Sequence, residues 1–585
     1  MMKTIILSLS IFLLFVNSST SQITNDYPFK THLDSANNLY ITGNKYNSVT
    51  GSIDILIEKY QGDIRIFSKM FPSPAGIDRG LDLAVDRSGN VVVTGFVYDN
   101  ATLDNNIITL YYNSLGNYVW HNIISNEGDD KGMGIEIIVD PIDGEIDEIF
   151  ITGYITNPLS RQDFITKKYS SSGDSLWQTV FRGYAWDDVA TDIKLDGSSA
   201  YVVGYSDQRG TFYNDILFLT YDQNSGNIDD TLIHNIEGRS ERPTSFIVLN
   251  EIDVPPLSKT RSVVTGISDN ISSLGARSEY LTIKYDLDSN EQAKIIWEKR
   301  FKNSSGPYHN IATSAATDDS GHVYVSGYVF SRIENLNLNN GLDFATIKYK
   351  RNTGEYAWSK RVEYFNFSDT STTGVDDKAS SIRVNSKREI FVAGSSDASP
   401  YGFSYIQYKQ NTGGPLTNGR KGVFIPSFIT ENSENLPLEK WATLELYPDG
   451  TPLLIVMGWN ENNSYWAAQK YDSSGNIVYS IDNTGNENLD NKKNTNVQSE
   501  IKIDNYPNPF NPSTMIKYKL ENAGLVAIKV YNLLGQEVTT LVNEFKQSGQ
   551  HNVLFEGSNV SSGIYYYKIY MDGVARLTKR MVLIK

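Results

Sequence analysis

The chain has 585 residues, 62 of them Gly or Pro, with 12% aromatic residues including 37 Tyr and a net charge of −16. That composition excludes collagen-like and low-complexity character for the whole and predicts that most of the chain folds. The absence of Cys excludes a disulfide framework, a thiolate metal site, a Cys nucleophile and an acylated-Cys anchor.

The first 21 residues read as a secretory signal peptide. Met1-Met2-Lys3 is a short basic start, Ile5 to Val16 is apolar apart from Ser8 and Ser10, and Ser19-Thr20-Ser21 supplies small residues before Gln22. Cleavage is expected between Ser21 and Gln22. The apolar run is too short to span about 30 Å of hydrocarbon, and no later segment reaches the length of a membrane-spanning helix, so no transmembrane segment is expected.

Residues 22–481 carry a charge of −19 and residues 500–585 a charge of +3, so the two parts belong to different modules. An acidic body argues against nucleic acid as a partner, because phosphate binding needs a basic face.

Within 22–481 the chain repeats itself. A β-branched or aromatic run ends in Gly eight times, at Gly43, Gly95, Gly153, Gly204, Gly266, Gly327, Gly394 and Gly458, at spacings of 51 to 67 residues. A second run follows each and ends in Tyr, at Tyr60, Tyr112, Tyr169, Tyr221, Tyr285, Tyr349, Tyr408 and Tyr471. Several Tyr runs lead through a Gly or Asn turn into Trp120, Trp177, Trp297 or Trp358. Asp-x-Ser-Gly and Asn-Thr-Gly are turn chemistry. Each unit therefore reads as a four-stranded antiparallel meander, and the nearly unbroken apolar Gly runs mean that both faces of each sheet are covered. Such sheets are what a β-propeller needs. The repeated Gly, Tyr and Trp are expected to be scaffold, with an exposed aromatic platform for glycan stacking as the functional alternative.

These repeats resemble the SBBP family of bacterial β-propeller repeats. Asp86 to Gly95 and Asp343 to Tyr349 match its two signatures, while the fifth copy, with an insertion at 250–261, and the seventh and eighth depart from it. Propellers of that family are usually seven-bladed; the count here is eight. The expected fold is thus all-β, an eight-bladed propeller or a seven-bladed one with a displaced unit, followed by a smaller domain.

Residues 482–499 are Asn-rich with too little apolar surface to order themselves, and read as a linker. From Glu500 short alternating strands suit a small β-sandwich. Pro507-Asn508-Pro509-Phe510, then Gly535, then Gly563 and Tyr565, and finally Lys579, Met581 and Lys585 carry a resemblance to the type A C-terminal sorting domain of the type IX secretion system. That resemblance implies an immunoglobulin-like sandwich, a Bacteroidota-type host, the type IX machinery as partner, and attachment to surface lipopolysaccharide after processing.

Catalytic chemistry has little support. The six His are scattered without zinc spacing, and there is no nucleophile elbow, phosphate loop or dinucleotide fingerprint. The Gly-to-Trp spacing of four residues at Gly116, Gly173 and Gly354 departs from the sialidase Asp-box. Asp286, Asp288 and Asn290 resemble the opening of a calcium loop but lack its Gly and Glu, so a polar turn is expected. Neither a cofactor nor a metal is expected. The reading is an exported, non-enzymatic binding or structural propeller with a glycan or protein ligand. A carbohydrate-active enzyme using a channel carboxylate pair and a surface adhesin are the alternatives.

Overall fold

The computed structural model describes residues 30–585 except 48–49, 73–75, 158–160, 184–186, 208–212, 255–256, 273–274, 288–292, 303–309, 334–337, 363–375, 397–401, 409, 411–420, 425–438, 460–463, 474–476, 484–501, 521–523, 533–535, 547–548 and 572–573. It divides into two units, residues 1–486 and 487–585. Among the described residues all regular structure is strand, and no helix is long and apolar enough to cross a membrane. The signal segment with Ser21 and Gln22, most of the Asn-rich linker, Gly535, Asp288 and Asn290 lie outside the described residues.

Among its described residues the first unit contains eight four-stranded sheets, each a meander cut from one stretch of chain, over residues 30–71, 79–124, 131–181, 188–234, 239–301, 311–362, 377–424 and 439–483 (sheets 1 to 8). The last strand, Ile477–Asn483, runs two residues into the stretch that composition assigns to the linker. The first strand of each sheet touches the first strand of the next, and that of sheet 8 touches that of sheet 1. A closed series of inner strands surrounding an axis is the architecture of a β-propeller.

The Gly runs form the second strands and the Tyr runs the third. Val91–Asp99 and Ser199–Ser206 are buried over most of their length, because each central strand is covered on both faces by neighbouring sheets. The fourth strands lie at the rim and alternate: Tyr118–Ile124 and Ser175–Phe181 bury every second residue only partly. The insertion in the fifth copy lengthens strands Arg239–Val254 and Leu257–Ser272 into a long hairpin paired through its whole length, rather than making a loop.

The second unit is a sandwich of two sheets. Strands Lys502–Tyr506, Ser513–Leu520 and Gly549–Glu556 form one, and Glu537–Lys546, Gly524–Tyr531, Gly563–Met571 and Val574–Leu583 the other, in that spatial order. Their facing sides share one core containing Phe510, Ile516, Val530, Tyr567 and Met581. Alternation in Ser513–Leu520, with Thr514, Ile516, Tyr518 and Leu520 buried, is the sequence pattern that fixes which face turns inward.

Candidate functional site

The repeated residues define the joints between sheets. In sheets 2 to 7 the repeat Gly sits opposite a bulge in the first strand, where one extra residue is inserted: Leu81, Met133, Thr191, Thr244, Thr313 and Ser380. A Cβ at Gly95, Gly153, Gly204, Gly266, Gly327 or Gly394 would collide with a main-chain carbonyl of that first strand, so only Gly allows the approach. Gly43 lies beyond the pairing of the short strand Lys30–Leu33, and Gly458 pairs with Lys440 without a register shift.

In sheets 5 to 7 the hydroxyl of the bulged residue reaches the next sheet, whereas that of Thr191 donates to Val203 within its own sheet at 3.1 Å. Thr244 donates to the carbonyl of Ala312 at 2.8 Å, Thr313 to Ala379 at 2.9 Å, and Ser380 to Ala442. The residue after it accepts in return: Ser245 from the Ala315 amide at 3.2 Å, Ser314 from Ile382 at 3.3 Å and Ser381 from Leu444 at 3.3 Å.

Each repeat Tyr is buried, and most pack on an aromatic ring of the preceding sheet. Tyr169 meets Trp120 with centroids 6.1 Å apart, Tyr221 meets Trp177 at 6.2 Å, Tyr349 meets Trp297 at 5.6 Å and Tyr408 meets Trp358 at 5.9 Å. Tyr285 packs on Phe218, Tyr471 on Tyr405, and Tyr112 shares a core with Phe67. Burial pushes the phenols of Tyr169 and Tyr221 up to about 12, so they stay neutral. The same joint carries a feature that sequence reasoning missed. The Lys before the Tyr and the Trp indole both donate to one carbonyl of the next sheet's turn: Lys168 at 3.0 Å and Trp177 at 2.9 Å to Gln223, Lys284 at 3.3 Å and Trp297 at 3.0 Å to Arg351, and Lys348 at 3.3 Å and Trp358 at 2.9 Å to Gln410.

The seam between sheets 8 and 1 is made differently. Tyr60 meets Trp466 edge-on at 5.0 Å, the Trp466 indole donates to Glu58 at 3.1 Å, and Thr31 donates to Glu445 at 2.8 Å. Among the described residues sheets 1 and 8 exchange no strand.

Charged side chains from different first strands converge on the axis. The Lys30 ammonium lies 3.1 Å from Asp82, whose other oxygen accepts the Ile135 amide of sheet 3 at 3.0 Å. Lys194 bridges Glu136 at 2.7 Å and Asp192 at 3.0 Å, and Arg383 stands 4.0 Å from Glu445. Asp82 holds Lys30 above the ordinary lysine range against the cost of burial. Burial opposes the charge of Lys194, but Asp192 and Glu136 outweigh it and raise its pKa. Burial raises the Glu136 carboxyl, with Lys194 acting in the other direction. Among the described residues no group of three or more His, Asp or Glu is arranged to hold a metal ion. Asp286 is paired with Arg261 and Lys259 in strand Gly275–Asp286, an arrangement that occupies its carboxylate with cations.

In the second unit the Pro507 to Phe510 segment is fastened to the C-terminal strand. The Asn508 amide donates to the Arg580 carbonyl at 3.1 Å and its oxygen accepts the Val582 amide at 2.9 Å. Phe510 is buried and exchanges main-chain bonds with Val582 and Ile584. The peptide bonds preceding Pro507, Pro509 and Pro512 are cis. The Tyr565 hydroxyl donates to Ser561 at 2.7 Å, Lys585 reaches the Ser558 carbonyl at 2.7 Å, Met581 is in the core, and Lys579 lies at the surface 3.8 Å from Asp504. Gly563 begins the strand that carries Tyr565.

Residues 504–585 match the family model described as "Secretion system C-terminal sorting domain". This domain marks the chain for export by type IX secretion to the cell surface or extracellular space. No curated protein matches the chain. Solved structures similar to it include the β-propeller domain of the Trilobed protease from Pyrococcus furiosus, 8% identical, covering 67% of this chain and 94% of that one at a TM-score of 0.31. Others are Pyrococcus horikoshii acylaminoacyl peptidase (9%, 74% and 58%, TM-score 0.34) and a glycoside hydrolase family 43 arabinoxylan arabinofuranohydrolase from Bacillus subtilis (9%, 67% and 95%, TM-score 0.25).

Proposed function

We propose that this exported chain is an eight-bladed propeller of SBBP-type repeats that serves at the cell surface as a binding or structural module, not as a hydrolase. The observation that carries the reading is the state of the axial carboxylates. Asp82 is committed to Lys30 and a main-chain amide, Asp192 and Glu136 share Lys194, and Glu445 is held by Thr31 and Arg383. Carboxylates so engaged tie one inner strand to the next, which is a scaffold's use of charge. In this reading residues 1–21 are removed as a signal peptide, the C-terminal unit is an immunoglobulin-like sorting domain, and surface lipopolysaccharide is the site of attachment after its removal.

A carbohydrate-active enzyme is the second reading, and one observation favours it. Glu136 is pushed towards protonation by burial beside a second carboxylate, Asp192, which is the environment that suits a general acid. Incubating the purified chain with a panel of polysaccharides and measuring new reducing ends separates the two. No release is expected; release that disappears in Glu136→Gln overturns the proposal.

A further inference from the structure

The joint between sheets 1 and 2 departs from those built on Trp120, Trp177, Trp297 and Trp358. Its rim aromatic is Phe67, which takes the place over Gly116 that Trp120 takes over Gly173 and Trp297 over Gly354. Beside it, strand Ile64–Phe71 and the turn leading into strand Tyr118–Ile124 leave a cleft of about 430 Å³. Phe71, Tyr112, Tyr118 and His121 wall it, and Lys69 and Asn117 stand on its margin. Tyr118 is 51% exposed and its counterpart Tyr356 48%, whereas most aromatic rings of the joints are buried, so what separates the two is the partner of the hydroxyl.

The same aromatic frame recurs between sheets 5 and 6. Tyr356 follows Gly354 as Tyr118 follows Gly116, Tyr349 is its cross-strand partner as Tyr112 is for Tyr118, and Phe301 lies four residues after Trp297 as Phe71 does after Phe67. There the Tyr356 hydroxyl donates to the Arg300 carbonyl of the preceding sheet at 2.8 Å and straps the joint. Tyr118 instead bonds to His121 Nδ1 on its own strand at 2.7 Å, which leaves its ring beside the cleft without that strap. His121 is in turn set edge-on to Phe71 at 5.1 Å.

We propose that this cleft is a carbohydrate-binding subsite, with Tyr118 as the stacking platform and His121, Asn117 and Lys69 as hydroxyl-recognising groups. The inference rests on the reading of the chain as a surface binding module. A sugar ring has one C–H face and a rim of hydroxyls. The cleft offers the complement: an aromatic wall, and along its edge an imidazole coupled to a phenol, a carboxamide and an ammonium. The volume lies within the range of small-ligand sites, about 300–1,000 Å³. A purely apolar peptide anchor would leave those polar groups unanswered, which disfavours a protein ligand.

Affinity electrophoresis of the full chain tests this, in native gels cast separately with β-glucan, xylan, mannan, polygalacturonate or denatured casein. At least one polysaccharide is expected to retard the wild type. Tyr118→Ala should weaken that retardation about tenfold, while the strapped counterpart Tyr356→Ala should leave it within about twofold. Because Tyr118 is a surface residue, its variant should keep the wild-type melting temperature, and His121→Ala provides a second variant should it not. Absence of retardation by every polysaccharide, equal retardation of wild type and both cleft variants, or Tyr118-dependent retardation by casein alone overturns the assignment. These results are independent of hydrolysis: polysaccharide cleavage governed by Glu136 would overturn the non-enzymatic reading while leaving a Tyr118-dependent subsite in place.

Discussion

His234 closes the seam between sheets 4 and 5 and is the side chain there whose charge responds to alkaline pH. It is buried, with Nε2 3.0 Å from Glu298 and Nδ1 3.8 Å from Glu241, and Arg300 lies across both carboxylates. Burial works against its charge, but the two carboxylates prevail and raise its pKa to about 9. An imidazole whose folded pKa exceeds its unfolded value stabilises fully below about 6.5, and that contribution is lost as pH rises through the folded value. The melting temperature should therefore fall between pH 7 and pH 9.5, by an amount equivalent to about 2–3 kcal/mol at this site. His234→Gln should flatten the profile over the same interval; an unchanged slope in that variant would place the titration elsewhere. Gly95 offers a steric counterpart. Its absent Cβ makes room for the Arg79 carbonyl, so Gly95→Ala should cost about 1–3 kcal/mol or more in chemical denaturation.

At the scale of strands and joints, the unit of construction is a turn carbonyl that receives both a Lys and a Trp from the sheet before it. Trp177→Phe leaves an aromatic ring in the joint but removes the indole N–H to Gln223 together with part of the ring over Gly226, and should lower stability by about 1–2 kcal/mol. Trp177→Ala, which also empties the joint, should cost about 3–5 kcal/mol, and a urea midpoint equal for the two variants would contradict the role given to packing. The Gly and Tyr runs that punctuate the sequence are the second and third strands, legible because a strand buried on both faces must be apolar at nearly every position. The joints were less legible for a physical reason. Their acceptors are the main-chain carbonyls of Ser171, Gln223, Arg351 and Gln410, and a main-chain carbonyl accepts whatever side chain its residue carries. The axial charges were hidden by the bulges. An extra residue such as Thr191 or Ser380 reverses the inward-outward alternation in mid-strand, so Asp192 and Lys194 do not fall on the phase that the start of their strand predicts. The repeat marks Tyr112 as scaffold, and it is buried, but nothing in the sequence marks Tyr118, six residues on, as exposed.

For the whole molecule, delivery and closure are separate problems solved by separate parts of the chain. Export depends on a sandwich in which Asn508 and Phe510 near its start hold the last strand. Deleting Glu500 to Lys585 should leave the propeller in the periplasm, as cell fractionation and surface proteolysis would report; normal surface delivery of the truncated chain would refute the assignment. Closure depends on Trp466, Glu58, Tyr60, Thr31 and Glu445 and on the apolar cluster that Leu39 and Ile41 form with Leu453 and Ile455, and among the described residues no strand is carried across the seam. A ring latched in that way has a preferred direction of failure under load. Tension on the chain beyond Asn483 should peel sheet 8 from sheet 1 by parting side chains, before the main-chain ladders within the sheets are sheared. In single-molecule pulling the ring should therefore open at this seam first, in a step that precedes unfolding of the other sheets.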